Sequence, residues 1–408
     1  MLNIQSPLSG IRSPFWRRGG FSRGGFSPAV LFANNEPGVW YDPSDLSTLF
    51  QDTAGTTPVT TPGQTVALML DKSKGLTLGP ELVTNGTFDT DTSGWTPTNA
   101  TLSVSSQRLR ITKLSTYFSS AAQQITGLDA SKTYQLTLNG YVGSAEVRVI
   151  VGSGINSGGI YDSAQSAIDI SPTVLVTGKT SFWVTLLAYG GTGTYLEYDN
   201  ISVKELSGFH ATQPTTAARP TYQVDAGGRG YLSFDGVDDW MVTPTITPGI
   251  DKVQIFVGLR KLSDVAGFGI IAEYGPPTAG TFSLTAPAAA GTDTYLWSSR
   301  GSIVIGTADS VSVSGYAAPI TNILTSVGEI STDTMILRVD GAQAGSSSSN
   351  QGAGNYLAYP MYIGRRTGTS LPLNGQIYSL ITRFGANLEV AQIESTEAYV
   401  AGKTGVDL

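Results

Sequence analysis

The chain carries one histidine and no cysteine, which narrows the chemistry it can perform. A Ser-His-Asp or Cys-His site would have to use His210. His210 stands in Phe209-His210-Ala211-Thr212-Gln213, which reads as half of a turn, so a structural role fits it better than catalysis. Zinc sites draw mostly on His and Cys, and this chain offers almost none. Glycoside cleavage needs two carboxylates across one cleft. Asp235, Asp238, Asp239 and Glu273 are the acids at hand, but Asp235-Gly236 reads as a turn and Asp238-Asp239 as its polar continuation. Binding without catalysis is the chemistry left. A pyranose presents a C–H face to an aromatic ring and its hydroxyls to amides and carboxylates. Trp95, Tyr141, Trp183 and Tyr189 are the candidate carbohydrate-binding rings, with core packing as the competing role for each. In Phe182-Trp183-Val184, strand alternation sends one ring outward and the other into the core.

Such rings must be held on strands. The 408 residues include 49 glycines, and only 13% are charged; Thr, Ser, Val and Tyr recur throughout. That composition favours strands and turns over helices. The formal charge of -7 argues against nucleic acid as a partner, since phosphate binding needs a basic face. Without cysteine there is no disulfide framework. No apolar run is long enough to span a bilayer, so no membrane insertion is expected. Met1 to Gly10 lacks a charged-then-apolar export signal, so release by lysis or inside a particle is expected.

Residues 1–35 differ from the rest. Arg12, Phe15, Trp16, Arg17, Arg18, Phe21, Arg23 and Phe26 precede the first acidic residue, Glu36. Glycines and the lack of any periodicity predict an extended arm. Arginine and aromatic side chains anchor interfaces, so the arm is expected to dock on another protein.

Beyond residue 35 the apolar pattern alternates. Tyr134, Leu136 and Leu138 share one face, as do Val253, Ile255, Val257 and Leu259, and Met335, Leu337 and Val339. Tyr378, Leu380 and Thr382 are expected to alternate in the same way. Leu82 to Asp89 reads as a short strand with an Asn85-Gly86 turn. Period-two runs between Gly/Ser turns predict antiparallel sandwiches. Only the tail reads as a helix, with Asn387 as its cap, Glu389 in its first turn and Gly402 as its stop.

Residues 36–75 with 208–408 resemble the concanavalin-A/laminin-G-type jelly roll of bacteriophage structural proteins. The resemblance rests on Trp40-Tyr41-Asp42-Pro43, on Tyr231-Leu232-Ser233-Phe234-Asp235-Gly236, and on a split pair. The pair is Asp71-Lys72-Ser73 and His210-Ala211-Thr212-Gln213, nearly contiguous in such proteins. Residues 76–207 are therefore expected to be an insert. The insert is similar to galactose-binding-like jelly rolls of the carbohydrate-binding-module type, through Asn85-Gly86-Thr87-Phe88-Asp89, Gly94-Trp95 and Tyr198-Asp199-Asn200-Ile201-Ser202-Val203.

The resemblance implies an all-β fold of two antiparallel β-sandwich domains, one inserted in the other, with an N-terminal arm and a short C-terminal helix. It implies a non-enzymatic virion protein of a tailed phage, placed at the tail tip or in a tail fibre. Its expected partners are other virion proteins through the arm, a host cell-surface glycan, and further copies of itself as a homo-oligomer. It also implies a structural calcium shared by Asp89 and Asp199, although Asp89 is shorter than the glutamate usual there. A capsid decoration protein and a polysaccharide depolymerase are the rival readings.

Overall fold

The computed structural model describes residues 25–265, 267–302 and 310–408. The arm residues from Arg12 to Arg23 lie outside them. The described chain is all-β apart from three short 3-10 turns and one C-terminal helix, and every strand pairing is antiparallel. The strands form four sheets in two face-to-face pairs.

One pair is built from the two ends of the chain. An eight-stranded sheet centres on Lys252–Lys261, flanked by Asn374–Phe384 and Ile320–Glu329. A nine-stranded sheet runs from Leu49–Phe50 through Met361–Ile363 and Ile270–Tyr274 to Ser310–Val313. Val253, Ile255, Val257, Leu259, Met335, Leu337 and Val339 all face the core between them. Tyr378 departs from the expected alternation. The pairing shifts where Gly258 meets Ser379 and Leu259 meets Ile377, and an extra residue in one strand reverses the side-chain phase. Leu380 and Ile377 face the core, while Tyr378 packs on Tyr231, with 5.1 Å between ring centroids.

The other pair is built from Leu78–Glu81 to Tyr195–Leu206, whose strands pair only among themselves. A six-stranded sheet centres on Thr133–Tyr141 and Tyr195–Leu206; a five-stranded sheet centres on Ser181–Tyr189. Their core holds Tyr134, Leu136, Leu138, Val147, Val149, Phe182 and Val184. This inner sandwich starts and ends on adjacent strands, since Leu78 pairs with Leu206 and Ser207 N–H donates to Thr77 C=O at 2.9 Å. It rests on the outer sandwich through a small apolar cluster of Leu68, Leu70, Leu175 and Leu206. Leu175 N–H donates to Ala54 C=O, and a Cβ at the left-handed Gly55 would strike the Leu175 side chain at 2.8 Å.

Two further expectations are corrected. The helix spans Val390–Thr404, capped by Glu389 and closed by Gly405 in the left-handed region. Asn387 instead donates to Glu329, and Gly402 lies inside the helix. The helix covers the outside of the eight-stranded sheet over Phe256, Ile323 and Ile381. The arm is not extended throughout: Pro28–Phe32 forms a 3-10 turn whose Leu31 and Phe32 are buried in that same cluster. Arg383 holds this turn by donating to Leu31 C=O at 2.7 Å and to Glu36 at 2.9 Å. Phe26 packs on Tyr399 of the helix.

Candidate functional site

The segment from Leu82 to Asp89 is irregular, its strand having ended at Glu81. Gly86 is needed for close approach: a Cβ there would fall 1.9 Å from Ile201 O, and Ile201 N–H donates to Gly86 C=O at 3.0 Å. That contact brings Asp89 beside the bulge at Asp199. The Asp199 carboxyl is raised by burial, with Asp89 adding to the effect and the Asn200 N–H and Arg108 opposing it. Asp89 is exposed and accepts from Thr87 at 2.8 Å.

Trp95 is a core residue and not an exposed ring. It is 6% exposed, packs on Phe88 at 5.8 Å, and donates from Nε1 to Asn85 C=O at 3.2 Å. The Gly-Trp step serves the wall of a neighbouring cleft. The buried Gln123 amide accepts from Thr84 N–H at 2.9 Å and donates to the carbonyls of Thr84 and Gly94. A Cβ on the left-handed Gly94 would crowd that amide at 3.1 Å.

The other three rings lie on outer faces, in different surroundings. Tyr141 belongs to the six-stranded sheet, and the Arg108 guanidinium covers its ring at 3.7 Å. Arg110 covers Tyr195 at 4.1 Å, and Glu197 pairs with both arginines. These ring faces are already occupied by cation–π contacts. Tyr189 belongs to the five-stranded sheet, where its hydroxyl accepts from Arg148, which is paired with Asp162. Trp183 lies on that same outer face, but Thr185 and Leu187 between them are fully covered. The structure does not bring the four rings together.

Trp183 keeps suitable surroundings. Phe182 is in the core, so alternation turns Trp183 outward, opposite Gln124 on the neighbouring strand. The two line a cleft of about 410 Å³ with Thr84, Thr96 and Thr126. An indole, an exposed primary amide and three hydroxyls meet there. No local pattern could reveal Gln124 as the partner of Trp183, because the pairing is set by register across the sheet.

Two exposed rings had no signal in the pattern. Tyr117 is 75% exposed and Phe118 42%, in a loop held by the buried Lys113, which donates to Tyr117 C=O at 2.7 Å. His210 is buried and bonded to backbone, as described below. Asp235, Asp238 and Asp239 gather within 4.8 Å. Hard cations take such oxygens, and these three could hold one. Burial, then Asp235, push the Asp239 carboxyl up to about 7. Among the described residues, no helix is long and apolar enough to cross a membrane.

No family model and no curated protein matches the chain. Among solved structures, it is similar to the receptor-binding domain of a botulinum neurotoxin mosaic serotype C/D, at 10% identity over 46% of this chain and 50% of that one, with a TM-score of 0.35. It is similar to the binding domain of botulinum neurotoxin DC in complex with SialylT, at 10% identity over 46% and 48%, with a TM-score of 0.34. The chain thus spans about half the length of these toxin domains. A CBM4 structure matches 30% of this chain and 99% of its own length, at 18% identity and a TM-score of 0.24.

Proposed function

We propose that this chain is a non-enzymatic glycan-binding protein and that the Trp183 cleft is its binding site. One observation carries the reading: Trp183 is turned outward beside the exposed Gln124 amide, within a cleft edged by threonine hydroxyls. The indole covers the C–H face of a sugar, and the amide and hydroxyls take its ring hydroxyls. The remaining candidate rings support no second site of this kind, being buried or covered by arginine.

The place of action follows from the sequence resemblance to phage structural proteins. On that reading the chain belongs to a virion, near the tail tip, and presents its inner sandwich to host-surface polysaccharide. Residues 1–24 attach it to neighbouring virion proteins, and symmetric repetition multiplies weak sugar contacts.

The test is retention of the purified chain on polysaccharide extracted from the host surface. Wild type is expected to be retained without releasing reducing ends, and Trp183→Ala to bind about tenfold more weakly. Equal retention of the variant would remove the cleft from the reading, and cleavage of the polymer would replace binding by catalysis. Locating the chain on the capsid lattice would overturn the tail assignment alone.

A further inference from the structure

The outer face of the nine-stranded sheet carries a cleft that glycan binding at Trp183 leaves unused. Ala272, Tyr274, Phe282, Leu284 and Trp297 point into the core, so the residues between them face out. Glu273 pairs with Ser283, Ser283 with Ser298, and Ser298 with Ser310, in one row across four adjacent strands. Thr285, Leu296 and Ser312 form a parallel row. A cleft of about 560 Å³ lies over these rows; Ser283, Thr285 and Ser298 are buried at its floor, and Leu296, Ser310 and Ser312 are its more open members. Its charged lining residues, among those described, are Arg300 and Arg366. Glu273 stands behind Arg366 and is 2% exposed. Its Oε1 accepts from Arg366 Nε at 2.7 Å.

Each feature selects a chemistry. Serine and threonine hydroxyls donate and accept alike, which suits a ligand bearing hydroxyls. A guanidinium gripped at Nε by a buried carboxylate is fixed in orientation. The Arg366 side chain remains 30% exposed, so its terminal nitrogens are left to face the cleft. That planar fork matches a carboxylate. Leu296 and the partly exposed Phe268 add an apolar strip. Peptide recognition by strand addition uses a sheet edge, whereas this cleft lies on a sheet face.

We propose that this cleft is a second glycan site, specific for saccharides that carry a carboxylate. The sugar carboxylate pairs with Arg366. The ring hydroxyls meet the more open hydroxyls of the cleft, those of Thr292, Thr294, Ser310 and Ser312. The site is independent of the Trp183 cleft, which lies on the other sandwich.

The experiment titrates the full chain calorimetrically with a galacturonate oligosaccharide and a sialylated oligosaccharide, each alongside its carboxyl-reduced form. At least one acidic sugar is expected to bind tenfold or more tightly than its reduced form. Ser312→Trp fills the cleft from an exposed position, and Arg366→Lys keeps the charge but removes the fork. Each should weaken acidic binding at least tenfold, while Trp183→Ala changes it less than twofold. Equal affinity for acidic and reduced sugars would overturn the proposal, as would binding of neither acid. So would acidic binding that survives Ser312→Trp or is abolished by Trp183→Ala. If Arg366→Lys lowers the melting temperature, Ser312→Trp decides alone.

Discussion

The backbone N–H of Asp71 donates to Nδ1 of His210 at 2.9 Å, across 139 positions of sequence. The His210 ring also faces Leu206 C=O through Nε2, and Asp71 completes the knot. Its carboxylate accepts from Trp40 N–H, Ser73 N–H and Phe209 N–H, each at 2.8 Å. The chain leaves the outer sandwich after Asp71 and returns before His210, so these two residues join the broken ends of one turn.

That knot has a pH dependence of known sign. Burial holds His210 below its usual 6.5, against the opposing pull of Asp71 and of the Leu206 carbonyl. A neutral ring accepts at Nδ1; a protonated ring cannot. The unfolded chain therefore binds more protons than the native one below 6.5, and stability present above that pH is lost as pH falls. The His210 contribution to the melting temperature should drop between pH 7 and 5. His210→Asn, which keeps an acceptor but does not titrate, should flatten that drop, as thermal melts across the range would show.

Asp239 predicts the opposite slope. Its folded pKa of about 7 lies above the usual aspartate value of 3.8. Its contribution is fully present below the unfolded value and is lost as pH rises through about 7. Asp239→Asn retains an acceptor for the Asp235 N–H, which donates to Asp239 at 3.0 Å. The variant should melt higher than wild type at pH 8, with the gap closing at pH 4. A gap independent of pH would assign the effect to packing instead.

The adjacency of Thr77 and Ser207 makes excision feasible. Replacing residues 78–206 by two or three glycines should leave an outer sandwich that unfolds cooperatively, because its strands pair with none of those removed. Leu68 and Leu70 would lose their cover from Leu175 and Leu206, so lower solubility is expected. Circular dichroism and denaturant melts would report both. A non-cooperative transition would show that the two sandwiches depend on each other.

Truncation should separate the two parts of the N-terminus. On the proposed virion reading, removing residues 1–24 should abolish incorporation into particles, as assay of the chain in purified particles would show. Removing residues 1–33 also takes away the buried Leu31 and Phe32. At roughly 1.5–3 kcal/mol for each fully buried large side chain, that loss should be about 3–6 kcal/mol in urea unfolding.

Much of the architecture was legible from residue order alone. Alternation marked the strand faces at Leu136 and Val257, because a period of two is written directly into the pattern. The split motif at Asp71 and His210 marked where the chain is interrupted, since both halves are short and local. What no window of sequence could decide is which outward ring stays available. Trp95 was claimed by the core through Phe88, Tyr141 was covered by Arg108 from another strand of its own sheet, and Trp183 met Gln124 across a strand pair. The helix bounds, the bulge at Tyr378 and the folded stretch before Glu36 were equally hidden. Each depends on contacts with distant strands, and such contacts exist only once register and sheet order are set.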